Sequence, residues 1–172
     1  MISYEIRKIT DKNNITTHHV AISVENAVKD GVIKKIKEVE KLTDKLLNDL
    51  NKVIEKIDNS KNNVILHWTL GDLIYNYTKK TTELGFECAS LTKMLEENMP
   101  KYKIEFWRRR ILFREVYPDK KLLNDSVSFR VYHELLNVDE KERKLIDKMI
   151  SDEKIKTVKD LKSMRATTIN YK

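Results

Sequence analysis

The run from Lys101 to Tyr117 holds the residue types best suited to chemistry with a charged partner. It carries six bases and two acids, a net charge of +4 in 17 residues, while the whole chain of 172 residues carries +7. The bases are Lys101, Lys103, Arg108, Arg109, Arg110 and Arg114. Guanidinium and ammonium groups bind phosphate through charge-assisted hydrogen bonds. The run therefore predicts contact with a polyanion, and double-stranded DNA is the expected partner.

Helical spacing divides these bases among different faces. Successive residues of an α-helix turn by about 100°, so Arg108, Arg109 and Arg110 cannot all face one ligand. Lys103, Arg110 and Arg114 share one stripe, which we expect to face DNA, with Arg110 and either Lys103 or Arg108 reading guanine edges. The residues expected to contact phosphate are Lys101, Lys103, Arg109 and Arg114. The alternative is a core helix whose arginines form surface ion pairs.

Two helices around Pro100 would position these bases. The first is a short amphipathic helix ending at Asn98, and the second runs from about Ile104 to Tyr117. Each is followed by a proline, Pro100 or Pro118, which cannot continue a helix. A short helix, a tight connection and a basic second helix are the pattern of a helix-turn-helix motif.

The front of the chain predicts a β-hairpin and then a long helix. Residues 2–9 and 15–24 are β-branched and partly alternating, and the letters DKNN between them favour a turn. In residues 31–57 the apolar positions recur every three or four residues, which is typical of one helical stripe. That stripe either packs on the chain's own core or forms a coiled coil, so a homodimer through residues 31–57 is a second expected partnership.

The remainder predicts further helices. We expect them over residues 63–77, 129–136, 139–150 and 158–165, with capping by Asp139 and Thr157. Gly71 lies inside the first of them and predicts a close approach of another helix. The polar break from Asp58 to Asn63 suggests a boundary between an oligomerisation or partner-binding module, residues 1–60, and a DNA-binding domain, residues 61–166. Residues 167–172 are interpreted as a tail.

Several classes of protein are excluded by composition. Cys88 is the only cysteine, so neither an internal disulfide nor a cysteine-based zinc site is expected. No window approaches the roughly 18 uninterrupted apolar residues of a membrane span, and the N-terminus lacks the apolar core of a signal peptide. We therefore expect a cytoplasmic protein without membrane contact.

Catalysis is not expected either. The four histidines have no carboxylate at a spacing typical of metal ligands, so no metal or other cofactor is predicted. The letters Pro118-Asp119 and Glu142-Arg143-Lys144 match the nuclease pattern PD...ExK. That chemistry needs carboxylates on adjacent strands, whereas Glu142 and Lys144 fall in a helical pattern. With no glycine-rich phosphate loop and no nucleophile elbow, the sequence predicts no catalytic residues.

From about Val64 to Arg165 the chain resembles a known family. It is similar to the N-terminal helical domain of YhcG-type proteins, which are associated with PD-(D/E)XK nucleases, and more loosely to ParB-like helix-turn-helix plasmid proteins. The matching segments, in order, are Leu66–Ile74, Leu91–Pro100, Trp107–Pro118, Ser128–Leu136 and Thr157–Leu161. The resemblance implies a winged-helix-like DNA-binding domain in which Arg108, Arg109, Arg110 and Arg114 match the basic second helix. It includes no nuclease domain and no counterpart of residues 1–60.

The sequence therefore predicts a mainly α protein, with a helix-turn-helix domain preceded by a β-hairpin and a long amphipathic helix. The expected function is non-enzymatic DNA binding as a dimer, in a transcriptional regulator or a component of a mobile element. One alternative is a helical adaptor, whose long helix binds a protein partner. Another is an RNA-binding domain in which Tyr102, Trp107 and Tyr117 stack on bases.

Overall fold

The computed structural model describes residues 1–23, 31–60 and 62–169. As predicted, these residues are mainly α-helical, with a small sheet near the N-terminus. The strands are β1 (Ile2–Thr10), β2 (Thr16–Ala21) and β3 (Phe86–Cys88). The helices are α1 (Val32–Asn59), α2 (Val64–Glu83), α3 (Leu91–Asn98), α4 (Ile104–Val116), α5 (Phe129–Leu135), α6 (Glu140–Ser151) and α7 (Val158–Ile169).

The described residues pack into two compact units. The sheet unit comprises residues 1–52 and 72–108, and the helical unit comprises residues 53–71 and 109–172, as far as each is described. The boundary that the sequence suggests after residue 60 falls inside the helical unit. The boundaries between the two units fall within α1, α2 and α4, because each of these helices contributes residues to both units. A break in the sequence pattern marks only the end of a helix and not the boundary of a unit.

The predicted hairpin is confirmed over β1 and β2. The strands pair antiparallel from Glu5 with Ala21 to Thr10 with Thr16. Asp11 closes the turn, because its Oδ1 accepts hydrogen bonds of 2.8 Å from the backbone N–H groups of Asn13 and Ile15. The predicted second strand extended to residue 24, which lies outside the described residues.

A third strand, which the sequence analysis missed, completes the sheet. β3 pairs in parallel with β1, from Ile2 with Phe86 to Tyr4 with Cys88, and the strand order is β2-β1-β3. Gly85 allows the chain to leave α2 and enter β3, since its φ of +88° is disfavoured for residues with a side chain. Tyr4 and Phe86 meet edge to face beneath the sheet, with ring centres 5.9 Å apart.

Beneath the sheet lies a chain of buried hydroxyl groups. Thr43 Oγ1 donates to the Val39 carbonyl at 2.9 Å, and the Tyr77 hydroxyl lies 2.9 Å from Thr43 Oγ1. The Tyr4 hydroxyl lies 2.7 Å from that of Tyr77. Because Thr43 donates its hydroxyl hydrogen to the Val39 carbonyl, it accepts from Tyr77. Tyr77 in turn accepts from Tyr4. Burial raises the pKa of both phenols, because it disfavours the phenolate.

Alkaline pH is therefore expected to destabilise the protein. A raised folded pKa means that the phenols of Tyr4 and Tyr77 keep their protons where the unfolded chain loses them. Their contribution to the free energy of unfolding is complete below about pH 10, the unfolded value. It is lost as the pH rises towards the raised folded pKa. Denaturant unfolding followed by circular dichroism at neutral and alkaline pH measures this loss.

Tyr4→Phe should reduce the alkaline loss, and Tyr75→Phe, at an exposed position on α2, serves as the control. Burial likewise raises the pKa of Tyr117 and Tyr132 in the helical unit, so part of the loss should survive Tyr4→Phe. Equal alkaline losses in the wild type and Tyr4→Phe would contradict the expectation for the sheet unit.

The helical unit has its own core, formed by α5, α6, α7 and the parts of α2 and α4 that belong to this unit. Trp68 donates from Nε1 to the Tyr117 carbonyl at 2.7 Å, and the Tyr117 hydroxyl donates to Asp147 at 3.0 Å. Burial raises the pKa of the Asp147 carboxyl. The core residues are Val64, Trp68, Phe113, Tyr117, Val127, Phe129, Val131, Tyr132, Leu135, Leu136, Ile146, Ile150, Ile155 and Leu161.

Two predicted helix starts in this unit are confirmed by side-chain caps. Asp139 accepts from the backbone N–H groups of Lys141 and Glu142 at 3.0 Å, which begins α6. Thr157 and Asp160 exchange side-chain to backbone hydrogen bonds at the start of α7, forming a capping box. This last helix continues to Ile169, into the segment interpreted as a tail, and residues 170–172 lie outside the described residues.

Candidate nucleic-acid interface

Helix α4, which carries four of the six candidate bases, is covered on most of its circumference. Trp107 and Phe113 are fully buried, and Arg110 is 9% exposed. The exposed residues of the helix are Glu105, Arg108 and Glu115. Its open side therefore carries two carboxylates and one guanidinium group, so the narrow basic surface expected from the sequence is not present on this helix.

Arg110 points into the helical unit. Its Nε and Nη2 donate to His67 Nδ1 at 3.3 and 3.1 Å, and its guanidinium carbon lies 4.9 Å from the centre of the Phe129 ring. His67 is 3% exposed and stacks on Phe129, with ring centres 4.1 Å apart. The side chain expected to read bases is thus a packing group, because the face of α4 that carries it is the face covered by α2 and α5.

Gly71 marks the close crossing of α2 and α4 that the sequence predicted. A Cβ atom at this position would lie 2.2 Å from the Arg110 carbonyl oxygen and 2.8 Å from Arg114 Cβ. At this crossing the Arg114 guanidinium lies 5.1 Å from the centre of the Trp68 ring. Arg114 and Arg109 are both half-buried, and each has further interactions. The crossing therefore holds Arg114 close to the protein, and Arg109 is only partly accessible.

The remaining candidate bases lie in the sheet unit at the surface. Lys103 Nζ is 3.4 Å from Glu96 Oε1, in an ion pair whose lysine side chain is 76% exposed. Lys101 Nζ lies 5.4 Å from the centre of the Tyr102 ring. Arg108 is exposed. The structure thus leaves Lys101, Lys103 and Arg108 accessible, while Arg110 is buried and Arg109 and Arg114 are half-buried.

Sequence reasoning overlooked α6, a helix of the helical unit whose exposed lysines share one face. On α6, Lys141, Lys144 and Lys148 recur at steps of three and four and are all exposed, so they share one face. Leu145 lies on the same face and is 59% exposed. We call these four residues the lysine face. The spacing of these lysines is visible in the sequence. However, α6 has four bases and three acids, and its net charge of +1 does not indicate a basic surface.

The histidines of β2 have structural partners. His18 Nδ1 lies 2.9 Å from Asp44 Oδ1, and its Nε2 lies 2.8 Å from Asn98 Oδ1. Asn98 Nδ2 donates to the Met94 carbonyl at 2.9 Å, which fixes the orientation of its amide. Both ring nitrogens of His18 therefore have hydrogen-bond partners within the sheet unit. His19 Nδ1 lies 3.5 Å from a Glu40 carboxylate oxygen.

The residue types that bind metal ions and the letters of the nuclease pattern can be located in residues 1–23, 31–60 and 62–169. Among them, no group of three or more His, Cys, Asp or Glu residues is placed to hold a metal ion. Glu142 and Lys144, the ExK letters, lie on α6 and not on a strand. Glu142 Oε1 accepts from Arg165 Nε at 3.1 Å, and Lys144 pairs with Glu140 at 2.6 Å.

The apolar stripe of α1, on which the coiled-coil prediction rests, is largely covered within one chain. The buried residues of the stripe are Val39, Leu46, Leu47, Leu50, Ile54 and Ile57, none more than 7% exposed. Ile33, near the start of the helix, is 65% exposed. This burial agrees with the interpretation that the stripe packs on the chain's own core, because buried side chains cannot also form a seam with a second helix.

Comparison of the chain with protein-family models, curated proteins and solved structures finds no match. Within the described part of the chain, every helix falls short of the length and apolarity needed to span a bilayer.

Proposed function

We propose that this protein binds double-stranded DNA without catalysis, and that the lysine face of α6 is its DNA contact surface. In this proposal α5, the connection Leu136–Asp139 and α6 act as a helix-turn-helix motif, with α6 in the major groove. The observation that carries it is the lysine face itself, three exposed lysines on one side of a helix that follows α5 after a connection of four residues. The proposed role is that of a regulator of transcription or of a DNA-binding component of a mobile element, since either one needs a surface that contacts DNA.

Packing explains why this face is available. On α5, Val131, Tyr132 and Leu135 are buried, and on α6, Ile146 and Ile150 are buried. These residues join the core of the helical unit, so α6 lies on the unit with its opposite side turned to solvent. A helix held along one side and open along the other has the form that enters a DNA groove.

The acidic residues on α6 are already paired, which limits their repulsion of phosphate. Glu142 accepts from Arg165, and Glu140 pairs with Lys144. Asp147, half-buried, accepts from the Tyr117 hydroxyl. Of these pairs, only the one with Arg165 adds positive charge from outside the helix, because the pair with Glu140 also engages Lys144. Leu145, exposed among the lysines, is suited to contact a thymine methyl group.

Fluorescence anisotropy of a labelled duplex, titrated with protein at two salt concentrations, tests this proposal. The wild type should bind at low salt and weaken steeply as salt increases, since lysines displace counterions from phosphate. The variant Lys141→Glu/Lys144→Glu/Lys148→Glu should lose most of this binding. Its salt dependence on a log-log scale should fall by about 3, since each phosphate contact contributes about 0.9 to the slope.

A matched control is available on α1, where Lys34, Lys41 and Lys45 are exposed on a helix of the sheet unit. Reversing these three charges changes the net charge equally and should leave most of the binding intact. An equal loss in the two triple variants would show non-specific attraction and overturn the assignment to α6. If Arg108→Glu loses duplex binding and the triple variant of α6 does not, the contact with DNA lies on α4 instead. A folded wild type that does not bind duplex at low salt would overturn DNA binding altogether.

A further inference from the structure

The helical unit contains a cavity with an unusual lining. It has a volume of about 290 Å³ and is lined by Asn62, His67, Arg110, Phe129, Arg130 and His133. Two of these residues are arginines and two are histidines, and no carboxylate is among them. Because a concave surface lined with charges of one sign focuses their field, the two arginines favour an anion in this cavity.

The inner wall of the cavity is rigid. Arg110 and His67 are at least nine-tenths buried and are joined by the two hydrogen bonds to His67 Nδ1. Phe129 packs against both, stacking on His67 and lying under the Arg110 guanidinium. His67, Arg110 and His133 also have further interactions. An anion would therefore meet a cationic wall that is already positioned, so that little ordering entropy would be lost on binding.

The outer wall comes from the start of α5. The Phe129 N–H donates to the Asn62 carbonyl at 3.0 Å, which holds this end of α5 beside the segment before α2. Arg130 is exposed and His133 is half-buried, and the His133 ring lies 5.9 Å from that of Phe129. The rim thus offers an accessible guanidinium group and an imidazole above the buried Arg110. Guanidinium groups bind phosphate oxygens with two parallel hydrogen bonds.

We propose that this cavity binds a phosphate group, with Arg110 and Arg130 supplying the positive charge and His133 a further donor. The volume exceeds that of a single phosphate, so a phosphate monoester also fits. The proposal does not depend on the lysine face of α6, because none of the four residues of that face lines the cavity. The phosphate has two chemical sources, a free phosphate or monoester and a phosphodiester of a nucleic acid, and these are separated below.

Titration with inorganic phosphate, followed by isothermal titration calorimetry in chloride of matched ionic strength, tests the proposal. The wild type should bind phosphate saturably with a stoichiometry of about one, as expected for a single pre-formed site. Arg130→Glu should weaken binding by about tenfold, since reversing an accessible charge both removes an attraction and adds a repulsion. Lys120→Glu, an equal reversal at an exposed position outside the cavity lining, is the control.

His133→Gln provides a second variant that keeps the rim filled, and it should weaken phosphate binding less than Arg130→Glu does. Circular dichroism of each variant verifies that it is folded. The proposal is overturned if the folded wild type shows no saturable binding, or if Arg130→Glu and Lys120→Glu weaken it equally.

The same variants identify the source of the phosphate. If it is a free phosphate or monoester, methyl phosphate should compete with inorganic phosphate, and Arg130→Glu should leave duplex binding unchanged. If it is a phosphodiester, Arg130→Glu should weaken duplex binding, and inorganic phosphate should compete with the duplex beyond the effect of its ionic strength. Loss of duplex binding in the α6 triple variant with phosphate binding intact would separate this site from the proposed DNA surface.

Discussion

Arg110→Ala should lower the free energy of unfolding by about 3 kcal/mol, the sum of an unsatisfied buried acceptor, a lost cation-π contact and a small cavity. The acceptor is His67 Nδ1, which receives two hydrogen bonds from the guanidinium group. The aromatic contact is with Phe129, at 4.9 Å. Urea unfolding followed by circular dichroism measures the change.

The adjacent Arg108 provides the matched control. It lies on the same helix, and its side chain is exposed. Arg108→Ala should change the free energy of unfolding by no more than about 0.5 kcal/mol, as is usual for surface substitutions. Similar losses in the two variants would contradict the buried position of Arg110. A large loss confined to Arg110→Ala would mean that charge reversal there is not a usable test of DNA binding.

Gly71→Ala is expected to destabilise the protein by about 3 kcal/mol, at the upper end of the range for overpacked cores. The added methyl group would lie 2.2 Å from the Arg110 carbonyl oxygen, a backbone atom that cannot move without displacing α4. In an open helix the same substitution would stabilise by about 1 kcal/mol, because alanine is the better helix former. The sign of the measured change therefore reports the distance between α2 and α4.

Lys79→Ala, at an exposed position farther along α2, is the control for Gly71→Ala. It exchanges one good helix former for another and should be close to neutral. Thermal unfolding of the two variants beside the wild type gives the comparison. A Gly71→Ala protein as stable as the wild type, or more stable, would show that α2 and α4 do not cross closely at this residue.

Where local chemistry decides the structure, the sequence predicted it. The DKNN turn is closed by the Asp11 carboxylate, and α6 and α7 begin at the predicted caps, Asp139 and Thr157. Pro118 follows the end of α4, as a residue that cannot continue a helix should. These features depend on one residue and its immediate neighbours, so a single sequence contains the information they need.

Features that depend on distant partners were missed. Phe86–Cys88 is three residues long and has no repeating pattern, and it becomes a strand only because β1 offers a free edge. α2 was predicted to end at Tyr77 but continues to Glu83, through Thr81, which is buried. The residues of α2 after Tyr77 are polar, so no apolar stripe indicated that the helix continues. Propensity is a weak guide in such segments, because tertiary contacts decide them.

The candidate site was missed for a related reason. A run of arginines shows that a helix is basic but not which side the rest of the chain covers, and in α4 the covered side includes Arg110. The alternation of Glu and Lys in α6 hid three lysines on one face. Net charge averages over both sides of a helix, whereas a partner meets only one. Burial is therefore the information that the sequence lacked.

The parallel pairing of β1 with β3 determines the order in which the sheet can form while the chain is synthesised. The hairpin of β1 and β2 can close as soon as Ala21 leaves the ribosome, whereas Ile2 must wait for Phe86. The Tyr4 hydroxyl waits for Tyr77, 73 positions later. Closing so long a loop costs more chain entropy than closing a hairpin. When the chain has emerged only as far as residue 60, β1 can therefore pair with β2, but its other edge has no partner until β3 emerges.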